Sequence, residues 1–272
     1  MSLKNTEEIE KILKLVITTG KIKNAHPVSM LLLANVGGGK TEILKKFNKN
    51  KGIAYVTDAT AYGLTKEYLN EIEKGNIHHI MIPDLITPLS KQTATRQGFI
   101  SFLNGLIEEG IADMHSYAVQ FNTKKDLKCG LITALAKEDF DKNYYRWSNM
   151  GFLSRCIPVS YSYGTKEIKQ IFDHISAEDT IKNTKEKVKN IKKHIKGNEE
   201  IHKKLYPIVN YAMNKSREKY GFRKLKQFKT LLKANAYLNE RNAINMDDYN
   251  EIVRLLNYVN TEYNIVNDSG GV

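Results

Sequence analysis

Two patterns alternate along the first part of the chain. Short apolar runs mark buried strands, and stretches with apolar residues every three to four positions mark amphipathic helices. Residues 5–19 carry Ile9, Ile12, Leu13, Val16 and Ile17 at helical spacing, with Thr6 placed to cap the start and Gly20 to end it. An apolar strand over 28–33 runs into a glycine-rich turn, and a helix is expected from about Lys40 to Asn48. Next come a β-type run at Ile53–Val56, a helix over 64–74 stopped by Gly75, and an apolar strand, I-H-H-I-M-I-P-D-L, over 77–85. A helical pattern over 92–107 uses Phe99, Phe102, Leu103, Leu106 and Ile107, and an alternating run then extends from Ile111 to Phe121. The polar segment N-T-K-K-D reads as a turn, residues 129–135 as a buried strand, Gly151–Ser154 as a turn or short helix, and I-P-V-S-Y as the start of a terminal strand. About five strands alternating with helices predict an α/β fold with a parallel sheet.

From Thr165 the pattern becomes helical only. Lys182, Lys185, Lys187, Lys189, Lys192, Lys193 and Lys196 lie close together, and Ile181, Val188, Ile191 and Ile195 suggest a helical stripe beside them, broken at Gly197 and Asn198. Three further helical patterns occupy 199–219, 222–241 and 246–262, and Asp247 and Asp248 after Asn245 look like an N-cap. The expected organisation is an α/β unit over 1–163, a smaller all-α unit over 164–262, and a disordered tail over 263–272.

Composition narrows the classes. The chain has 272 residues, 41% of them hydrophobic, which is enough for a core; it has no apolar run long enough to span a membrane, and its first residues lack the apolar centre of a signal peptide. The two cysteines, Cys129 and Cys156, sit in apolar contexts and read as buried free thiols, consistent with a cytoplasmic setting. A formal net charge of +12 favours a polyanionic partner, nucleic acid before membrane. The lysine cluster is either a solvated face or a DNA contact, and Lys124 and Lys125 are either a solvated hairpin tip or a nucleic-acid contact.

The candidate chemistry centres on M-L-L-L-A-N-V-G-G-G-K-T-E-I-L-K, residues 30–45. Strand, glycine loop, Lys-Thr and helix follow in the order of a phosphate-binding P-loop. Glycines let backbone N–H groups turn around phosphate oxygens, and the helix N-terminus behind them carries partial positive charge. Asn35, Val36, Gly37, Gly38, Gly39, Lys40, Thr41 and Glu42 are the candidate ATP-binding residues. Lys40 would reach the β- and γ-phosphates, and the Thr41 hydroxyl would ligate Mg²⁺. Ala34 stands where the motif has its first glycine; the alternative is a plain glycine-rich turn between a buried strand and a helix. Asp84, ending an apolar strand, is the candidate second acid of the Mg²⁺ shell. The residue after it, commonly a water-polarising Glu, is Leu85. The adjacent His78 and His79 point to opposite faces of a strand and read as structural.

On the P-loop, the strand ending in Asp84, the helix closing on E-E-G (Glu108, Glu109, Gly110), the strand Leu131–Leu135 and the F-L-S-R segment at 152–155, the chain resembles the AAA+ ATPases. It is most similar to their minichromosome-maintenance and magnesium-chelatase-like branch, and its small basic format resembles ATPases of phages and mobile elements. The resemblance implies a two-part module, an α/β base and a helical lid, that binds ATP and Mg²⁺ as a homo-oligomeric ring. It implies Thr133 as a γ-phosphate sensor, Arg155 as an arginine finger into the neighbouring subunit, and Arg223 on the lid as a second sensor reaching the γ-phosphate. For Arg155 the alternative is a surface salt bridge. Two functions stand at this point. One is an ATPase coupling hydrolysis to DNA remodelling, loading or unwinding, with another replication or phage protein as a further partner. The other is a nucleotide-gated switch with little turnover, motivated by Leu85; Glu108 or Glu109 is then the remaining source of a carboxylate.

Overall fold

The computed structural model describes residues 6–115, 120–176, 185–216 and 219–259. Five strands make one parallel sheet: β1 (Ser29–Ala34), β2 (Ile53–Tyr55), β3 (His79–Ile82), β6 (Gly130–Ala136) and β7 (Cys156–Ser160), in the order β2-β3-β6-β1-β7. Between β3 and β6, β4 (Ile111–His115) and β5 (Gln120–Leu127) form a separate antiparallel hairpin. Strand β1 lies between β6 and β7, with Ala34 opposite Ala136 at one end and Ser29 opposite Cys156 at the other. Its run M-L-L-L is buried on both faces, as a central parallel strand requires. Met30 and Leu32 enter one hydrophobic core, and Leu31 and Leu33 the other.

The helices cover both faces. Those of the first part are α1 (Glu7–Thr19), α2 (Lys40–Lys45), α3 (Ala61–Glu73), α4 (Ile86–Leu89), α5 (Thr93–Asn104, prolonged by a wider turn over Gly105–Glu109) and α6 (Lys137–Asn149). Those of the second part are α7 (Thr165–Ser176), α8 (Glu199–Lys204), α9 (Tyr206–Ser216), α10 (Phe222–Leu238) and α11 (Met246–Leu255). Helix α1 packs on α10, and one continuous core joins α1, one sheet face and the C-terminal helices through Ile9, Leu13, Met30, Leu205, Phe228 and Leu232. The α/β part and the helical part therefore share buried surface. Helix α11 starts with the expected cap: Asn245 accepts from the Asp247 and Asp248 N–H groups, and Asp248 returns a bond to the Asn245 N–H. Asp248 is fully buried and held by Arg241 and Asn235.

Four expectations change. The lysine-rich segment is no helix over its described part: residues 185–197 carry no regular element, only isolated bridges at Lys193 and Lys196. Its backbone is satisfied by other elements instead. Asn50 bonds the Glu186 carbonyl and the Val188 N–H, Asn24 bonds both polar groups of Ile195, and Lys193 exchanges backbone bonds with Lys21 and Lys23. Spacings of seven, three and four residues mimic a stripe, yet Ile195 is buried while Ile191 is 68% exposed, which no single helix face explains. Ile181 and Lys182 lie outside the described residues. Second, N-T-K-K-D belongs to β5 and is not a turn. Third, α6 was not anticipated, although Phe140, Tyr144 and Trp147, its buried residues, have helical spacing. Fourth, His78 and His79 do not separate across the sheet. His78 sits just before β3, their Nδ1 atoms meet at 2.7 Å, and His79 Nε2 meets the Val28 carbonyl at 3.0 Å. Burial holds both imidazoles neutral, well below the ordinary 6.5. The cysteines are buried free thiols as expected, and burial pushes Cys156 up to about 12.

Candidate functional site

The glycine loop leaves β1 at the carboxyl end of the sheet, the end where open α/β sheets bind ligands. Gly37 and Gly39 have φ of 76° and 79°, the left-handed conformation that only glycine adopts without strain. Gly39 is the N-cap of α2, and no side chain caps that helix start. Ala34 needs no glycine: it is the last residue of β1, with none of the positive φ seen at Gly37 and Gly39. Its methyl does tighten the loop, because a Cβ on Gly38 would lie 3.3 Å from it and 3.0 Å from the Asn35 carbonyl. Lys40 folds back across the loop, its Nζ donating to the carbonyls of Ala34 at 2.9 Å and Asn35 at 2.8 Å.

Around Lys40 stand three carboxylates, Asp84, Glu138 and Asp139. Burial pushes the Lys40 ammonium below its ordinary pKa, and the attraction of these three opposes that shift. Asp84 follows β3 and Pro83; its Oδ1 accepts from the Ile86 N–H at 3.0 Å, and the next residue is pinned to β6 by Leu85 N–H to Ala134 carbonyl at 3.0 Å. Glu138 and Asp139 open α6 immediately after Ala136, opposite the residue where the loop begins. Sequence reasoning missed both because it missed α6. The Leu85 side chain is fully buried, so the position after Asp84 points into the core and away from this cluster. Among the described residues no group of His, Cys, Asp and Glu forms a protein-only metal cage. The Thr41 hydroxyl and the exposed Asp84 carboxylate are the hard oxygen donors that suit Mg²⁺, which keeps waters and phosphate oxygens in its shell.

Beside the loop is a cavity of about 380 Å³ lined by Ala34–Gly38, Tyr161, Tyr163, Ile168 and Phe172. Val36 projects at the loop tip, 81% exposed. Glu42 belongs to the first turn of α2 and pairs with Lys45 at 3.0 Å, not with the loop.

The other expected residues are elsewhere. Thr133 lies mid-strand in β6, opposite Leu31 and Ile82, fully buried and with its hydroxyl unpartnered. It is three residues short of Ala136, roughly 10 Å below the carboxyl end at strand rise. That depth leaves Lys137, Glu138 and Asp139, not Thr133, at the rim. Arg155 immediately precedes β7 and so stands at the amino end of the sheet. Its Nη1 donates to the Gly151 carbonyl at 2.5 Å, its Nη2 pairs with Glu109, and its side chain is only 10% exposed. Burial disfavours the charged form of Glu109, but the Arg155 hydrogen bond, a backbone hydrogen bond and the charges of Arg155 and Arg223 together outweigh it and lower the carboxyl pKa. Arg223 is beside Arg155, not the loop: it donates to Ser154 Oγ at 3.2 Å and lies 3.9 Å from Glu108 and 4.0 Å from Glu109. Gln227 of the same helix donates to the Arg155 carbonyl at 2.9 Å. Glu108, Arg155, Arg223 and Gln227 line a cavity of about 300 Å³ with Lys128, Lys226, Lys229 and Lys233. The expectation that Arg223 reaches the nucleotide of its own chain is thus not met by this geometry, because the length of the sheet intervenes. Glu108 and Glu109 are likewise at the wrong end to serve the loop of their own chain.

Residues 183–268 match the family model of the AAA lid domain. No curated protein matches the sequence. Among the described residues no helix is long and apolar enough to cross a membrane. The match supports an AAA+ ATPase, and the five-stranded parallel sheet with flanking helices, followed by a mostly helical C-terminal part, fits an α/β AAA+ fold with an all-α lid.

Proposed function

We propose that the chain binds Mg-ATP at the loop 34–41 and hydrolyses it in a homo-oligomer whose sites are shared between neighbouring copies. The carrying observation is the cluster at the carboxyl end of the sheet: Lys40 beside the glycine loop, facing Asp84, Glu138 and Asp139. In this reading the loop N–H groups and Lys40 hold the phosphates, while Thr41 and Asp84 would hold Mg²⁺, which draws charge from the phosphate oxygens. The purine and ribose rest in the adjoining slot against Tyr161 and Phe172. Glu138 supplies the carboxylate that orients water, the task Leu85 cannot perform. Arg155 and Arg223 act on a neighbour's phosphates, since both are turned away from the loop of their own chain. Positive charge aimed at a transferring phosphoryl group is worth about 10³-fold or more in rate.

The net charge of +12 supports a polyanionic partner, and DNA remodelling, loading or unwinding is the work proposed for the motor. A second reading, a nucleotide-gated switch with little turnover, draws on the buried Leu85. The deciding experiment is ATP turnover by the purified protein with no DNA, single-stranded DNA and double-stranded DNA, beside Lys40→Ala. Turnover that rises with DNA and vanishes in the variant is expected. ATP binding without turnover would select the switch, and DNA affinity that ignores salt would remove nucleic acid from the proposal.

A further inference from the structure

We propose that Tyr161 and Tyr163 are positioning residues for the phosphate loop, clamping the Gly38 carbonyl so that the Gly39 N–H is aimed at a bound phosphate. The inference rests on the nucleotide-binding reading above and assigns a task to two side chains that the motif does not contain.

The chain leaving β7 stays beside β1, with the Tyr161 N–H donating to the Leu33 carbonyl at 3.2 Å. This brings Tyr161 and Tyr163 alongside the loop. Both hydroxyls donate to one acceptor, the Gly38 carbonyl, at 2.6 Å and 3.1 Å. Their rings support each other edge to face, with centroids 5.6 Å apart. Burial raises the pKa of both phenols, so both remain protonated donors.

The loop needs such a restraint. Gly37, Gly38 and Gly39 are consecutive, and glycine has more backbone freedom to lose than any other residue. The peptide between Gly38 and Gly39 is planar and trans, so its C=O and the following N–H point in opposite directions. Fixing the carbonyl toward the tyrosines turns the Gly39 N–H away from them. The tyrosines are on the β7 side of β1, and the cluster of Lys40, Asp84 and Glu138 is on the β6 side. Among the described residues the Gly39 N–H donates to no backbone carbonyl, leaving it available for a phosphate oxygen. The same tyrosines line the 380 Å³ slot, so one pair of side chains borders both the base and the phosphate cradle.

The test removes the hydroxyls and keeps the rings. Affinities for Mg-ATP and for AMP are measured by calorimetry on the wild type, Tyr161→Phe, Tyr163→Phe and the double variant. The positioning role predicts that the double variant loses about tenfold in ATP affinity, the worth of two modest hydrogen bonds, with AMP affinity unchanged. Tyr163→Phe, at the less buried of the two rings, keeps the test available if the double variant does not fold. Wild-type ATP affinity in the folded variants would overturn the proposal. An equal fall for ATP and AMP would also overturn it and make the tyrosines walls of the base slot. A wild type that binds neither nucleotide would overturn the nucleotide-binding reading itself.

Discussion

The two ends of the parallel sheet carry different charged clusters. At the carboxyl end a glycine loop and Lys40 face three carboxylates. At the amino end two arginines and several lysines crowd around Glu108 and Glu109. The first can hold phosphates and a divalent ion, yet no arginine lines its pocket among the described residues. The second has arginines and no phosphate loop. Strands of five and six residues keep the two roughly 15–20 Å apart within a copy. Under the proposed function, the loop of one copy takes its arginines from the amino end of a neighbour.

Subunit mixing tests whether the two ends serve one shared site. Arg155→Ala should lower ATP turnover about 10³-fold. Mixed with equally inactive Lys40→Ala, it should regain partial turnover, because some interfaces then pair an intact loop with an intact arginine. Mixtures that stay inactive would show that the two ends do not serve one shared site. A smaller effect sharpens the carboxyl end. Glu138→Gln should reduce kcat about 100-fold while leaving ATP affinity in place. If kcat is unchanged there and in Asp139→Asn, the carboxylates beside Lys40 orient no water.

The next test concerns the position after Asp84. Leu85→Glu should not restore a catalytic carboxylate. It buries an unpaired acid in a core position and should cost about 3 kcal/mol of stability, read as a lower denaturant midpoint. A gain in turnover instead would mean that this side chain can swing to the loop. The mildest perturbation acts on the amino end, where the His78–His79 pair begins β3. Both imidazoles are depressed by burial, while the unfolded chain protonates near 6.5. Their contribution is therefore complete above pH 6.5 and is lost as pH falls, each histidine costing about 1.4 kcal/mol per pH unit. Thermal unfolding at pH 5.5 should come roughly 5 °C below that at pH 7.

Much of this architecture was legible because parallel strands buried on both faces write continuous apolar runs, as at 30–33 and 80–82, and because positive φ favours glycine. The cap at Asn245 was readable for the same reason: a short polar side chain before two acids has one good local use. The cluster at the carboxyl end of the sheet was legible where motif and strand end coincide, at Lys40 and Asp84. The depth of Thr133 was not, because an apolar run shows where a strand is but not how far up a residue stands in it. Nor was the place of Glu138, since two acids beside a lysine look like any solvated helix start until Ala136 is paired with Ala34. The strap over 185–197 was unreadable in principle. Its hydrogen-bond partners include the side chains of Asn24 and Asn50, more than a hundred residues away.

The packing of α1 on α10 has a consequence for synthesis. Helix α1 leaves the ribosome with Ile9, Leu13 and Ile17 ready for burial. The helix that covers it emerges roughly 200 residues later, a delay of about 10–40 s at ordinary elongation rates. For that interval the nascent chain carries an apolar face without its final partner, and the native core closes only when α10 arrives. A cell making this protein must shield α1 until α10 exists.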